Sequence, residues 1–342
     1  MCGMKLWVAG MWLVSAVTAE GDVPGLSLRE LAASRGTRIG AAVNADALAT
    51  DADYRTVLAR EFNVLTAENA MKWAVLRPSR DRFDFEQADA IVAFAEAHGM
   101  AVRGHTLVWH NALPEWLIRG NYTREQLMDL LREHIQTVVG RYRGRVFAWD
   151  VVNEAVMKRG ALRDTFWLRG IGPEYIDLAF QWAHEADPDA LLFYNDFVAE
   201  GGGRRSKTLY RFLEERLGRG VPIHGVGLQM HLSIDNLPRK RCVVAAIRRF
   251  ESLGLHVHIT ELDVRLRTPA SGTALERQAQ VYASAAEVLR DCASCTDLVM
   301  WGVDDGHSWI PHFVDGWGDA LLFDAQYRPK PAYHAVQKVL GR

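Results

Sequence analysis

The sequence predicts a closed (β/α)8 TIM barrel, and three observations carry that reading. Eight short apolar runs recur along the chain, with helical patterns between them. The runs are continuously apolar rather than alternating, as strands covered on both faces are. No linker or low-complexity tract divides the series, so one domain holds all eight units. A length of 342 residues suits one such barrel.

The elements follow in order. Lys5 precedes an apolar stretch, Leu6–Ala19, that ends in the small-residue pattern Val17-Thr18-Ala19. Residues 1–19 therefore read as an export signal, with Met4 an alternative start that would remove Cys2. The stretch is short for a membrane span, so no stable membrane anchor is expected, and the protein is predicted to be secreted, extracellular or periplasmic. Residues 20–342 are left as the folded domain, entered through a polar linker, Glu20–Gly25. Ser27 and Glu30 form a capping box and Gly36 a stop signal, so a short helix lies between them. The eight strand-like runs are Arg38–Val43, Asn63–Ala67, Ala101–Val108, Val146–Val152, Leu191–Tyr194, Gly225–Met230, His256–Thr260 and Leu298–Gly302. Amphipathic stretches at Phe85–His98, Thr123–Arg141, Pro173–Ala186, Ser206–Leu217, Arg241–Leu253 and Ala274–Arg290 read as helices. A last helix, Pro331–Leu340, closes the chain.

Composition narrows the function. A net charge of −2 provides no basic field, so nucleic acid is not an expected partner. The 11 tryptophans offer flat apolar faces with a polar edge, suited to sugar rings, although most of them belong in a core. Cys292 and Cys295 form a C-x-x-C pair that could close a small disulfide in an exported protein, and Cys242 reads as a small buried hydrophobe.

In a barrel of this kind, chemistry gathers at the carboxyl ends of the strands. Those ends hold the polar and aromatic residues. Strand two runs into Glu68, Asn69 and Lys72, and strand three into His105 and Trp109-His110. Strand four ends in Asn153-Glu154, strand five in Asn195-Asp196, and strand six in Gln229 and His231. Strand seven ends in Glu261 and Asp263, and strand eight leads from Trp301 to Trp309. Any one of these has a bland reading as a cap or surface residue. The set does not, because burying so many polar groups is costly. Two glutamates on different strands fit glycoside hydrolysis: one protonates the leaving oxygen and the other attacks or stabilises the anomeric carbon. Asn153 could hydrogen-bond a sugar 2-hydroxyl, and His231, backed by Asp263, could keep Glu261 ionised and oriented. This chemistry calls for no metal and no cofactor.

The segments Trp149-Asp150-Val151-Val152-Asn153-Glu154 and His258-Ile259-Thr260-Glu261-Leu262-Asp263 resemble the two active-site signatures of glycoside hydrolase family 10, the xylanases. Matches fill the intervals: Thr66–Asn69 with Lys72-Trp73, Gly104–His110, Ala186–Pro188, Tyr194–Asp196, Gly225–His231, Trp301–Val303, Leu321–Asp324 and Arg328–Tyr333. The resemblance runs from Leu26 to Leu340 in order. It implies an endo-1,4-β-xylanase with Glu154 as acid/base and Glu261 as nucleophile. Retention is implied too, with carboxyls about 5–5.5 Å apart. It further implies that Glu68, Asn69, Lys72, His105, Trp109, Gln229, His231, Trp301 and Trp309 hold the sugars. Partners would be xylan and xylo-oligosaccharides, bound by a monomer.

The segment departs from the family at Gly306-His307, where a bulkier basic or aromatic pair is more usual, and the cysteine pair is more closely spaced than the family's disulfide. Competing readings are another glycosidase on the same fold, a non-catalytic carbohydrate-binding barrel, and a metal-dependent hydrolase built on His105, His110, His231 and Asp263.

Overall fold

The computed structural model describes residues 25–157, 160–197, 200–201 and 203–342. Residues 1–19, read from the sequence as an export signal, and with them Cys2, lie outside the described residues. Eight parallel strands close on themselves: β1 Arg38–Val43, β2 Val64–Ala67, β3 Ala101–Val108, β4 Ala148–Asn153, β5 Leu191–Asp196, β6 Gly225–Leu228, β7 His256–Arg267 and β8 Asp297–Met300. Each pairs in parallel with the next, and β8 returns to β1 through Ile39 opposite Leu298. The predicted closed barrel is the observed one.

Between and after the strands run α1 Ala52–Glu61, α2 Glu86–Ala97, α3 Arg124–Arg141, α4 Tyr175–Ala186, α5 Arg204–Gly218, α6 Lys240–Glu251, α7 Gly272–Asp291 and α8 Pro331–Leu340. Their formation is local in origin. Thr123 and Gln126 cap α3 reciprocally, and Leu127, Leu130, Leu131, Ile135, Val138 and Val139 form its buried stripe. The capping box of Ser27 and Glu30 is likewise formed, at the head of Leu28–Ala33, and Gly36 has φ +67°.

Boundaries differ from the sequence reading where chemistry begins. Strand β5 includes Asn195 and Asp196, and β7 runs on to Arg267, carrying Glu261 and Asp263 inside a strand. The extension pairs with two short strands, His231–Ser233 and Trp317–Gly318. Register shifts interrupt the ladder at His105/Val108, Asp150/Val152 and Ile259/Leu262, close to the strand tips.

The cysteine expectations need correction. Cys292 and Cys295 are free thiols; Cys292 ends α7 and its carbonyl accepts from the Cys295 amide at 2.9 Å. Cys242 is half-buried in the first turn of α6, where one side of the helix still faces solvent, rather than sealed in the core.

Candidate active site

Glu261 sits within β7, almost without solvent contact. Asn195, at the tip of β5, donates Nδ2–H to its Oε1 at 2.5 Å. His231 donates Nε2–H to its Oε2 at 3.0 Å. The opposite ring nitrogen of His231 donates to Asp263 Oδ2 at 2.7 Å, and the Trp309 indole donates to the same oxygen at 2.9 Å. Burial alone would lower the His231 pKa, but the charge and hydrogen bonds of Asp263, then those of Glu261, reverse the sign and push it up to about 10. Burial alone would raise the Glu261 pKa. The hydrogen bond from His231 and the fields of His105 and His231 outweigh it, and the carboxyl is held below its usual value. Glu261 is therefore a buried carboxylate held in its ionised form.

Glu154 follows β4 and is half-buried. Its φ is +59°, the left-handed region. For a residue with a Cβ that conformation costs roughly 1–2 kcal/mol. It persists where surrounding bonds over-determine it. The Glu154 amide donates to the Asn195 carbonyl at 2.9 Å, and Arg163 Nε donates to the Glu154 carbonyl at 2.9 Å. The side chain is held by Gln229, whose Nε2 donates to Oε1 at 3.1 Å.

One atom joins the two carboxylates. Asn153 Oδ1 accepts from Asn195 Nδ2 at 2.9 Å and from Gln229 Nε2 at 3.1 Å, while those same two amides donate to Glu261 and Glu154. The Glu261 carboxylate can only accept, so Asn195 turns Nδ2 toward it, and Thr260 Oγ1 donates to the other end, Oδ1, at 2.7 Å.

Every site residue expected from the sequence joins this cluster. Lys72 donates to Asn69 Oδ1 at 2.8 Å and lies 5.1 Å from the centre of the Trp109 ring. Burial lowers the Lys72 pKa against the pull of Glu261, Glu68 and Glu154. Burial raises that of Glu68, opposed chiefly by Lys72. His105 is 3.0 Å from Asp150 Oδ2 and 3.9 Å from Glu261 Oε1. The Trp301 ring stands edge-on to His105 at 5.1 Å and to His231 at 6.0 Å, and Trp309 is 5.1 Å from His231. Among the described residues no three His, Cys, Asp or Glu side chains converge as metal ligands. His105 and His231 are engaged with carboxylates instead.

Sequence reasoning places Asn195 among the strand-end residues without giving it a role, and passes over Arg163. Asn195 stands in the quoted interval Tyr194–Asp196, so its place at a strand tip was available as a signal. Arg163 lies in the loop after β4 and gives no signal of its own.

The profile of Glycosyl hydrolase family 10 matches residues 27–339. Endo-1,4-beta-xylanase B of Thermotoga neapolitana is 42% identical over 333 residues, covering 96% of this chain and 95% of its own. The crystal structure of xylanase 10B from Thermotoga petrophila RKU-1 in complex with xylobiose has a TM-score of 0.90 at 44% identity, covering 94% of this chain and 98% of its own. An intracellular xylanase from Thermoanaerobacterium saccharolyticum has a TM-score of 0.85 at 37% identity, covering 92% of this chain and 99% of its own. On the span and order of these matches, the chain belongs to glycosyl hydrolase family 10.

Proposed function

We propose that this protein is an endo-1,4-β-xylanase that cleaves internal β-1,4-xylosidic bonds of xylan with net retention. The observation that carries the reading is the pair Glu154, just after β4, and Glu261, within β7, tied through Gln229, Asn153 and Asn195. Glu261 attacks the anomeric carbon while the bond to the leaving oxygen breaks, and Glu154 gives that oxygen its proton. Glu154 then takes a proton from water, the water oxygen attacks the same carbon, and the bond to Glu261 breaks. The relatives named xylanases, one of them solved with xylobiose, support the substrate class.

The remaining residues take supporting roles in this reading. Lys72, Glu68 and Asn69 bind sugar hydroxyls through charge-assisted bonds. Trp301, Trp309 and Trp109 form flat walls against which an extra hydroxymethyl group would press, which favours a five-carbon sugar. Asn153 binds the 2-hydroxyl, and His105, Gln229 and His231 hold the carboxylates in place. Residues 1–19 direct export, residues 20–342 form the catalytic domain, and the enzyme acts as a monomer. No helix among the described residues is long and apolar enough to cross a membrane.

The test is the stereochemistry and size of the first products. NMR of a digest of xylan should show the β-anomer appearing first, with oligosaccharides of mixed length. An initial α-anomer, or xylose released only from chain ends, would overturn the reading. Glu261→Ala should lose turnover while still retaining xylo-oligosaccharides on an affinity gel.

A further inference from the structure

Five hydrogen bonds fall on three consecutive residues, and four of them come from outside the strand ladder. The Glu154 amide donates to Asn195 O at 2.9 Å, and the Glu154 carbonyl accepts from Arg163 Nε at 2.9 Å. The Ala155 carbonyl accepts from the Arg163 amide at 2.7 Å. The Val156 amide donates to Tyr194 Oη at 2.9 Å, and its carbonyl accepts from Arg205 Nη2 at 3.2 Å. Tyr194 and Arg205 are themselves fixed on Asp196, at 2.9 and 2.6 Å. The chain beyond Glu154 is therefore held twice over. Among the described residues, the carbonyl of Glu154 accepts from one donor, Arg163.

That carbonyl belongs to the residue with φ +59°. A left-handed residue with a Cβ relaxes toward φ below zero when its bonds are removed. Such a relaxation would swing the Cα–Cβ bond, and with it the carboxyl that meets Gln229 Nε2. Arg163 also faces His110, a half-buried imidazole whose pKa is lowered by burial and by the Arg163 charge, against the pull of Glu154. Among the described contacts, the guanidinium meets the backbone of the acid/base and not its carboxylate.

We propose that Arg163 is a positioning residue for proton transfer: by holding the Glu154 carbonyl it keeps that backbone left-handed and aims the carboxyl at the leaving oxygen. The proposal rests on the acid/base reading of Glu154. No new bond-making step is involved; the residue acts on geometry alone.

Leaving-group chemistry separates this role from a general structural one. A 2,4-dinitrophenyl leaving group departs without a proton, whereas a sugar hydroxyl needs one. Arg163→Leu and Arg163→Lys are assayed as kcat/KM on xylohexaose and on 2,4-dinitrophenyl β-xylobioside. Active sites are counted by trapping the nucleophile with a 2-deoxy-2-fluoro-xylobioside, so that unfolded protein does not enter the rates. For Arg163→Leu the expected loss is about 10- to 100-fold on xylohexaose and less than about threefold on the activated substrate. Arg163→Lys, which restores a donor, should recover part of the loss. Equal losses on both substrates, or none on either, would overturn the proposal. Glu154→Ala is run alongside. If it lacks the same split, the acid/base reading of Glu154 fails; if it shows the split and Arg163→Leu does not, only the role of Arg163 fails.

Discussion

At the scale of single residues, the site works by giving two carboxylates different surroundings. Glu261 is buried but answered by a histidine held between two acids, so its proton is lost early. Removing His231 leaves the burial effect dominant, and the Glu261 pKa should rise. A nucleophile must be ionised, so the acid limb of the kcat/KM profile should move to higher pH in His231→Gln. Rates across pH 3–8 on an activated aryl xylobioside would measure it, and an unmoved limb would mean that His231 does not tune Glu261. Both glutamates, the histidine and Asp263 were legible in the sequence because each follows an apolar run inside a polar cluster. The left-handed backbone of Glu154 was not, since no neighbouring glycine or turn motif announces it. Asn195 went unassigned for a related reason: an amide becomes informative only when its partners, Thr260, Asn153 and Glu261, are known in space.

At the scale of elements, the strand pattern was read correctly because strands covered on both faces must be apolar, and their outer limits failed where polar residues continue the strand. The helix α1 is not singled out by pattern: its buried residues are Tyr54, Val57, Leu58 and Glu61, a stripe with two polar ends. The glycines of β6 were visible as letters but not as spacers. In the parallel register Gly225 lies opposite Phe193, and Gly227 opposite Asn195. A Cβ on Gly225 would come within 2.2 Å of the Phe193 ring, and one on Gly227 within 2.1 Å of Asn195 Oδ1. Each glycine therefore makes room for a large side chain of β5, but only the second neighbour bonds Glu261. Gly225→Ala and Gly227→Ala should each lose about 1–3 kcal/mol in urea unfolding, as overpacked cores do. Per active site, only Gly227→Ala should lose kcat, by on the order of tenfold or more, because Asn195 must move off Glu261. Equal activity in the two variants would show that the Asn195 contact is dispensable.

At the scale of the whole molecule, the barrel interior is wired by charge from one end to the other. Arg38 bonds Asp297, Asp297 meets His258 at 3.1 Å, and His258 meets Arg103 at 3.0 Å. Arg103 pairs with Asp150, which holds His105 beside Glu261. Strands β3 and β7 are not neighbours, so the contact of Arg103 with His258 crosses the interior. The sequence hides this line, because its members are scattered among apolar residues on five different strands. It places one histidine at a low pKa and leaves another, His231, at a high one. His258 is lowered to about 3, by burial first and by Arg103 and Arg38 against the pull of Asp297. Between its unfolded value near 6.5 and about 3, the unfolded chain binds a proton that the folded one refuses, so its contribution is lost as pH falls. His231, raised to about 10, does the reverse: its contribution is complete below about 6.5 and is lost as pH rises toward 10. Asp196 and Asp305, each pushed up to about 6 by burial against its basic partner, tilt the acid range the other way. Differences between wild type and variants isolate the two histidines from those acids. In urea unfolding, the stability gap between wild type and His258→Gln should narrow from pH 6.5 down to 4. The gap to His231→Gln should narrow from pH 6.5 up to 9.5. Parallel stability curves in either pair would mean that the histidine concerned titrates alike in the folded and unfolded chain, and that its charge partners do not hold it as the barrel places them.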